Sequence, residues 1–260
     1  MADDGGTSTG GIVAGFFSFT EVTDSSAHRA YNEWHQLDHL PEQLPLEGVS
    51  HGQRWVASPA CRALARTSDG ADELGLSLAH YVTLYLLRSP LEESLKDFYG
   101  LARRLRAEGR FFSERRAVSS GPLYVRQRWA ADRVRVSAAA LPYRPNRGVY
   151  VVVKEPSSGV PSSRGGGPSL GAAPSVPAGV MEAEGVAGFW TFAPGGDLPQ
   201  TAPESQERIR SDVIVCFLDG DPMAVSADLG PLFYDEALQY ASPYLTVQPW
   251  SWDWFEEGRQ

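Results

Sequence analysis

Apolar and polar residues alternate along the chain in a way that marks out short strands and two amphipathic helices. Gly11 to Thr20, GIVAGFFSFT, is apolar on both alternating faces, as expected of a strand covered on both sides. Asp24, Ser25 and Ser26 are N-cap residues for a helix expected from about Ala27 to Leu40. Val49 to Ala57 reads as a second strand, Ser58 to Ser77 as a polar loop or short irregular hairpin, and Tyr81 to Leu87 as a buried strand. Pro90 suits the first turn of a helix, and Leu91, Leu95, Phe98, Leu101, Ala102 and Leu105 then recur at helical spacing up to about Glu108. Leu123 to Trp129 supplies a fourth strand, so the order is β-α-β-β-α-β, the ferredoxin-like unit.

The second half repeats this order imperfectly. Gly148 to Lys154 resembles the first strand, Val186 to Phe192 fills the second-strand slot, and VIVCFLDGDP (Val213 to Pro222) parallels YVTLYLLRSP (Tyr81 to Pro90). Leu245 to Trp250 parallels Tyr124 to Trp129 as the last strand, with Trp250, Trp252 and Trp254 alternating onto one face. Where the first half has its first helix, the second has a Pro/Gly/Ser tract over residues 156–180, a linker or a lid without helical periodicity. Thr201 to Arg210 is a further polar loop. The expected organisation is a disordered leader (1–10), a first unit (11–130), a connector (131–147) and a degenerate second unit (148–255). The fold class is therefore α+β, with two ferredoxin-like units fused in one chain.

Charge and composition narrow the partners. A net charge of -9 with no basic patch argues against nucleic acid. The longest apolar runs, such as Val149 to Val153, are too short to span a bilayer, and the acidic N-terminus is unlike a signal peptide. Two cysteines, Cys61 and Cys216, do not make a disulfide framework, so a cytoplasmic protein is expected. There is no GxSxG, Walker loop or GxGxxG; Gly165 to Gly167 follows no strand.

The candidate chemistry collects in Tyr31 to Trp55, which holds three of the chain's five histidines. His35 and His39 are one helical turn apart, with Asp38 bordering both and Pro41 expected to end or bend the helix beside His39. An imidazole is suited to proton transfer near neutrality, and Asp38 is placed to orient it. The competing role for His39 is a hydrogen-bonded helix cap. The i, i+4 histidine pair, with Asp38 or His51 as third ligand, is a weak chelating pattern without HExxH or a cysteine, so no metal site is expected. Haem would need a histidine facing a large cavity, with His80 the alternative to His39. Trp34, His51, Arg54, Trp55, Phe17, Tyr81 and Tyr85 are candidate pocket residues, and the aromatic ones are equally suited to core packing. Arg54 is suited to a substrate carboxylate or enolate, or to an ordinary salt bridge.

Trp34, His35, His39, Leu40 and Pro41, followed by Gly48 and Arg54-Trp55, form a W-H-x-x-x-H-L-P…G…R-W pattern between two strands. Together with AHYVTLYLL around Tyr81, this resembles the EthD-like group of dimeric α+β-barrel proteins over residues 11–130; beyond residue 148 the resemblance is in element order alone. It implies a barrel of two ferredoxin-like sheets and a substrate held between sheet and helices, with His39 at the family's helix-end histidine. It also implies cofactor-free chemistry of cyclase, decarboxylase, isomerase or monooxygenase type on aromatic or polyketide-like molecules, although the superfamily also contains haem enzymes. The expectation is a cofactor-independent enzyme, monomeric or a homodimer of fused units, with a hydrophobic small molecule as partner. The alternatives are a non-catalytic small-molecule-binding protein and a haem protein.

Overall fold

A computed structural model describes residues 11–67, 72, 74–157, 172–195 and 208–256. The expected leader (1–10), most of the Pro/Gly/Ser tract (158–171, including Gly165 to Gly167) and residues 201–207 of the polar loop lie outside these. The strands are β1 (Ile12–Val22), β2 (Val49–Val56), β3 (Tyr81–Arg88), β4 (Arg115–Ala130), β5 (Gly148–Lys154), β6 (Val186–Ala193), β7 (Asp212–Leu218) and β8 (Leu238–Thr246). The helices are α1 (His28–Trp34), α2 (Leu40–Gln43), α3 (Pro59–Ala63), α4 (Leu91–Ala107) and α5 (Pro222–Phe233). Among the described residues no helix is long and apolar enough to cross a membrane.

All strand pairs are antiparallel, and the sheet closes in the order β1-β3-β2-β8-β5-β7-β6-β4. Read as halves, this is β4-β1-β3-β2 joined to β8-β5-β7-β6, the ferredoxin order twice. The protein is thus an α+β barrel of two fused ferredoxin-like sheets. The second sheet lacks a counterpart of α1 and α2 among the described residues.

The strand period of two divides each strand between two environments. Phe17 and Phe19 of β1, Trp55 of β2, Leu84 of β3, Trp190 and Phe192 of β6 and Tyr240 and Tyr244 of β8 fill the barrel interior. Eight strands leave an interior just wide enough for side chains, so the barrel is a packed core. The outer face of the first sheet lies under α1, α2 and α4, whose Leu95, Phe98, Tyr99, Leu101 and Leu105 are buried. Glu92 and Glu93 at its start, and Arg104 and Arg106 at its end, match the helix dipole. On the second sheet, α5 packs Val225, Leu229 and Phe233 against Tyr150, Val152 and Ile214.

Two expectations need correction. The last strand is Leu238–Thr246, earlier than Leu245 to Trp250. Pro243 hides it in the sequence, because proline is rare inside a sheet. It is accommodated here because β2 reaches β8 only at Leu245 and Thr246. The three tryptophans do not share a strand face: Trp250 has a left-handed φ of 66° and is exposed, whereas Trp252 is buried. The Ser58 to Ser77 stretch also contains α3, which Ser58 caps by accepting from the Cys61 N–H.

The two seams differ in strength. β4 and β6 pair over six positions, from Tyr124↔Ala193 to Ala130↔Gly188, whereas β2 and β8 pair at two. Asn146, just before β5, bridges the short seam. Its Oδ1 accepts from Trp55 Nε1 (3.0 Å) and Thr246 Oγ1 (2.7 Å), and its Nδ2 donates to Gln53 Oε1 (3.2 Å). Asn146→Ala would leave the partly buried Trp55 Nε1 donor and Gln53 Oε1 acceptor unsatisfied and should lower stability by about 2 kcal/mol in urea titrations with an unchanged m-value.

Candidate functional site

The helix after β1 is built in three pieces. α1 ends at Trp34, His35 to His39 form a wider π turn in which the Leu40 N–H bonds the His35 carbonyl, and α2 continues to Gln43. Pro41 neither ends the helix nor stands apart from it. It has no N–H to donate and its ring crowds the carbonyl four residues back, Leu37, so a widened turn relieves both problems. Both histidines, four residues apart on one face, turn to the sheet and are buried, with ring centroids 5.1 Å apart and planes nearly perpendicular at 78°. Trp34 lies flat on His39 at 4.7 Å, and its Nε1 donates to the Arg110 carbonyl (2.7 Å). Phe111 packs edge-on to His39 from another side.

A hollow opens between these histidines, α4 and the outer face of the first sheet, with about 740 Å³ of non-atom space once the open solvent at its mouth is counted. Its floor is polar: Ser18 and Thr20 from β1, Thr83 from β3 and Ser120 from β4, with Gln43 from α2. Its walls are aromatic, from Phe16, Tyr85, Phe98, Tyr99 and Phe111. Arg103 and Arg106 from α4 and Arg115 from β4 complete the lining.

Buried polar atoms normally find partners. Around this hollow His35 Nδ1, His39 Nδ1, Gln43 Oε1, Thr83 Oγ1 and Tyr85 Oη have none among the described residues. Arg54, on β2 beside Thr83, is 2% exposed and donates from Nη2 to Asn32 Oδ1 (3.0 Å), while its Nε and Nη1 are unpartnered. Its guanidinium lies 5.1 Å from the centre of the Tyr31 ring and 5.4 Å from that of Tyr81.

This environment disfavours any further positive charge. Burial first, then the guanidiniums of Arg115, Arg54 and Arg110, lower the His39 imidazole to about 3. Burial, then Arg54, His39 and Arg115, hold His35 well below the usual histidine range. Both are neutral at physiological pH. Burial likewise pushes the Tyr85 phenol up, so it stays protonated as a hydrogen-bonding group.

The structure distributes the sequence candidates over several places. His35, His39 and Tyr85 line the hollow, and Trp34 backs His39. Asp38 turns away to Arg110 (2.7 Å), so no carboxylate orients the histidines from that position. Tyr81 faces the helices but is held by Asn32 (2.8 Å) and His28 (3.0 Å). Phe17 and Trp55 belong to the barrel core, and His51 packs on Tyr143 at 5.0 Å. His80 accepts from the Val22 N–H through Nδ1 (3.1 Å) and does not line the hollow. Among the described residues no three His, Cys, Asp or Glu side chains converge as a metal site would need. Sequence reasoning singled out Arg54 but missed Arg103, Arg106 and Arg115 and the hydroxyl floor. The floor had a signal: Ser18, Thr20 and Thr83 interrupt strands that are otherwise apolar, all on one face.

No protein-family model matches this chain, and no curated protein matches it in sequence. One solved structure, described as "Putative Chlorite dismutase TA0507", aligns with a TM-score of 0.42 and 9% identity over 94% of this chain and 98% of that one. Another, described as a "putative monooxygenase from Lactobacillus acidophilus NCFM", aligns with a TM-score of 0.36 and 7% identity over 90% and 93% of the two chains. Likenesses of this size say nothing about the chemistry of the hollow.

The electrostatics give a pH prediction. A histidine depressed in the folded state titrates from 6.5 when unfolded, so the unfolded chain binds more protons in the interval between the two values. Stability is then unaffected above pH 6.5 and falls as pH drops through the window down to about 3. His39→Gln should flatten part of that decline in thermal melts recorded between about pH 7 and pH 4.

Proposed function

We propose that the chain is an enzyme that moves a proton on an aromatic, polyketide-like small molecule, with His39 as the general base or acid and no bound cofactor. The observation that carries this reading is the gathering of unpartnered buried polar atoms, two of them imidazole nitrogens, around a single aromatic-walled hollow. Left unpaired, such atoms cost about 1–3 kcal/mol each, an expense that a bound substrate's oxygens and acidic hydrogens would offset. The resemblance of Trp34 to Pro41, Gly48 and Arg54-Trp55 to the EthD-like group supports the same reading. His80, the alternative haem ligand, is engaged by the Val22 N–H away from the hollow.

The aromatic walls would hold a flat ring, and the Ser18, Thr20 and Thr83 hydroxyls would fix its oxygens. His39, immobilised against Trp34, would take a proton from an activated carbon or a phenol. The C–H or O–H electrons would pass to a substrate oxygen, leaving an enolate or phenolate beside the new imidazolium. The anion would offset the burial and the neighbouring guanidiniums that disfavour the imidazolium, and the same guanidiniums favour the anion. Return of the proton at another atom would complete an isomerisation; in a cyclisation the enolate carbon would first bond to a carbonyl carbon of the same substrate, whose oxygen takes up the C=O electrons and then the proton, and His35, in ring contact with His39, is placed to assist.

The test uses benzoylacetone in D2O, following exchange of its methylene hydrogens by NMR. The wild-type protein should accelerate exchange and His39→Gln should lose about 10²–10⁴-fold of that acceleration, with binding measured by calorimetry changed only a few-fold. Equal exchange rates for the two proteins, with ligand still bound, would identify a binding protein instead.

A further inference from the structure

The chain carries 32 acidic and 23 basic Lys/Arg residues, yet the hollow shows the opposite balance. Three arginines and no carboxylate line it. Acidic groups are close by, but Arg110 collects them, pairing with Asp38 (2.7 Å), Glu42 (2.7 Å) and Glu108 (3.3 Å). Among the described residues, Arg103, Arg106 and Arg115 have no carboxylate partner.

Two of the three are held by aromatic rings. Arg106 sits 4.7 Å from the Phe111 centroid, while Arg115 sits 4.8 Å from Phe111 and 5.5 Å from Trp34. A guanidinium fixed by its flat face keeps its N–H edge for a planar anion, to which it bonds in a two-pronged way. Arg115 is half-buried at the end of the sheet, and Arg106 and Arg103 are exposed at the mouth. Behind the floor, Arg54 adds a buried cation with two unpartnered nitrogens. Solvation explains the two exposed arginines but neither Arg54 nor Arg115. Burial and the charge of Arg106 both lower the Arg115 pKa, which a bound anion would relieve.

We infer that the hollow selects a flat organic anion, an aromatic carboxylate or phenolate, whose charged group is met by Arg115 inside and by Arg106 at the mouth. This rests on the hollow being the substrate site and narrows the substrate to one charge class. The aromatic walls take the ring, and the arginine pair takes the anion. In a protein of net charge -9, a cationic mouth also draws such a molecule in against the overall repulsion.

Isothermal titration of the full chain with 2-naphthoate and with its neutral isostere 2-naphthamide tests this. The acid should bind about tenfold or more tightly than the amide, the margin expected of one charge-assisted pair, and the difference should shrink as salt is raised. Arg115→Gln should remove most of that preference. Arg106→Gln, on the exposed side of α4, should reduce it in part and keeps the test valid if the Arg115 variant fails to fold by circular dichroism. An amide that binds as tightly as the acid, or a preference unchanged in the Arg106 variant and in a folded Arg115 variant, overturns anion selection and leaves the hollow as a substrate site. If neither compound binds, the hollow itself is misassigned and the inference falls with it.

Discussion

Closure of the sheet is the constraint from which the rest follows. Eight strands joined edge to edge bury their own polar edges, but the space inside is then taken by side chains such as Trp55, Trp190 and Tyr244. A small molecule cannot enter a core packed to that degree. Binding is displaced to the outer surface of the sheet, where a helix layer supplies the second wall. The first sheet has such a layer in α1, α2 and α4, and the hollow lies where it stands off from β1, β3 and β4.

In that layer the usual rule of satisfied burial is suspended. Imidazoles, hydroxyls and guanidiniums are enclosed without partners or counter-charges, each reducing stability relative to an apolar replacement. A deficit concentrated at one location is the expected mark of a surface shaped for a visitor. The π turn belongs to the same pattern, since it carries the helix past Pro41 while His35 and His39, four residues apart, stay on the face turned to the sheet.

Much of the frame was legible in the chain. Alternation located β1, β2, β3, β5, β6 and β7, the apolar stripe located α4, and their order gave the two fused units; the barrel followed from the family resemblance. Two local features blurred the rest. Pro243 disguised β8, and the tryptophans at 250, 252 and 254 imitated a strand's period while occupying a turn with one left-handed residue. At the site, helical spacing was enough to pair His35 with His39. It could not show that Asp38 is claimed by Arg110, seventy-two positions away, or that Arg115, from a stretch with no periodicity, is carried by β4 to the same hollow. Such encounters depend on strand register, and register depends on the whole sheet.

Fusion of the two sheets in one polypeptide has an evolutionary corollary. In a barrel assembled from two copies of one unit, a substitution falls on both sheets at once, so every unfavourable burial is doubled. A single chain breaks that bond. Here the second sheet keeps an apolar layer, with α5 laid on Tyr150, Val152 and Ile214, while the first holds the half-partnered Arg54 guanidinium and bare imidazoles. The conservative half can lend its surplus stability to the adventurous one, and new chemistry can be tried on one side without being copied onto the other.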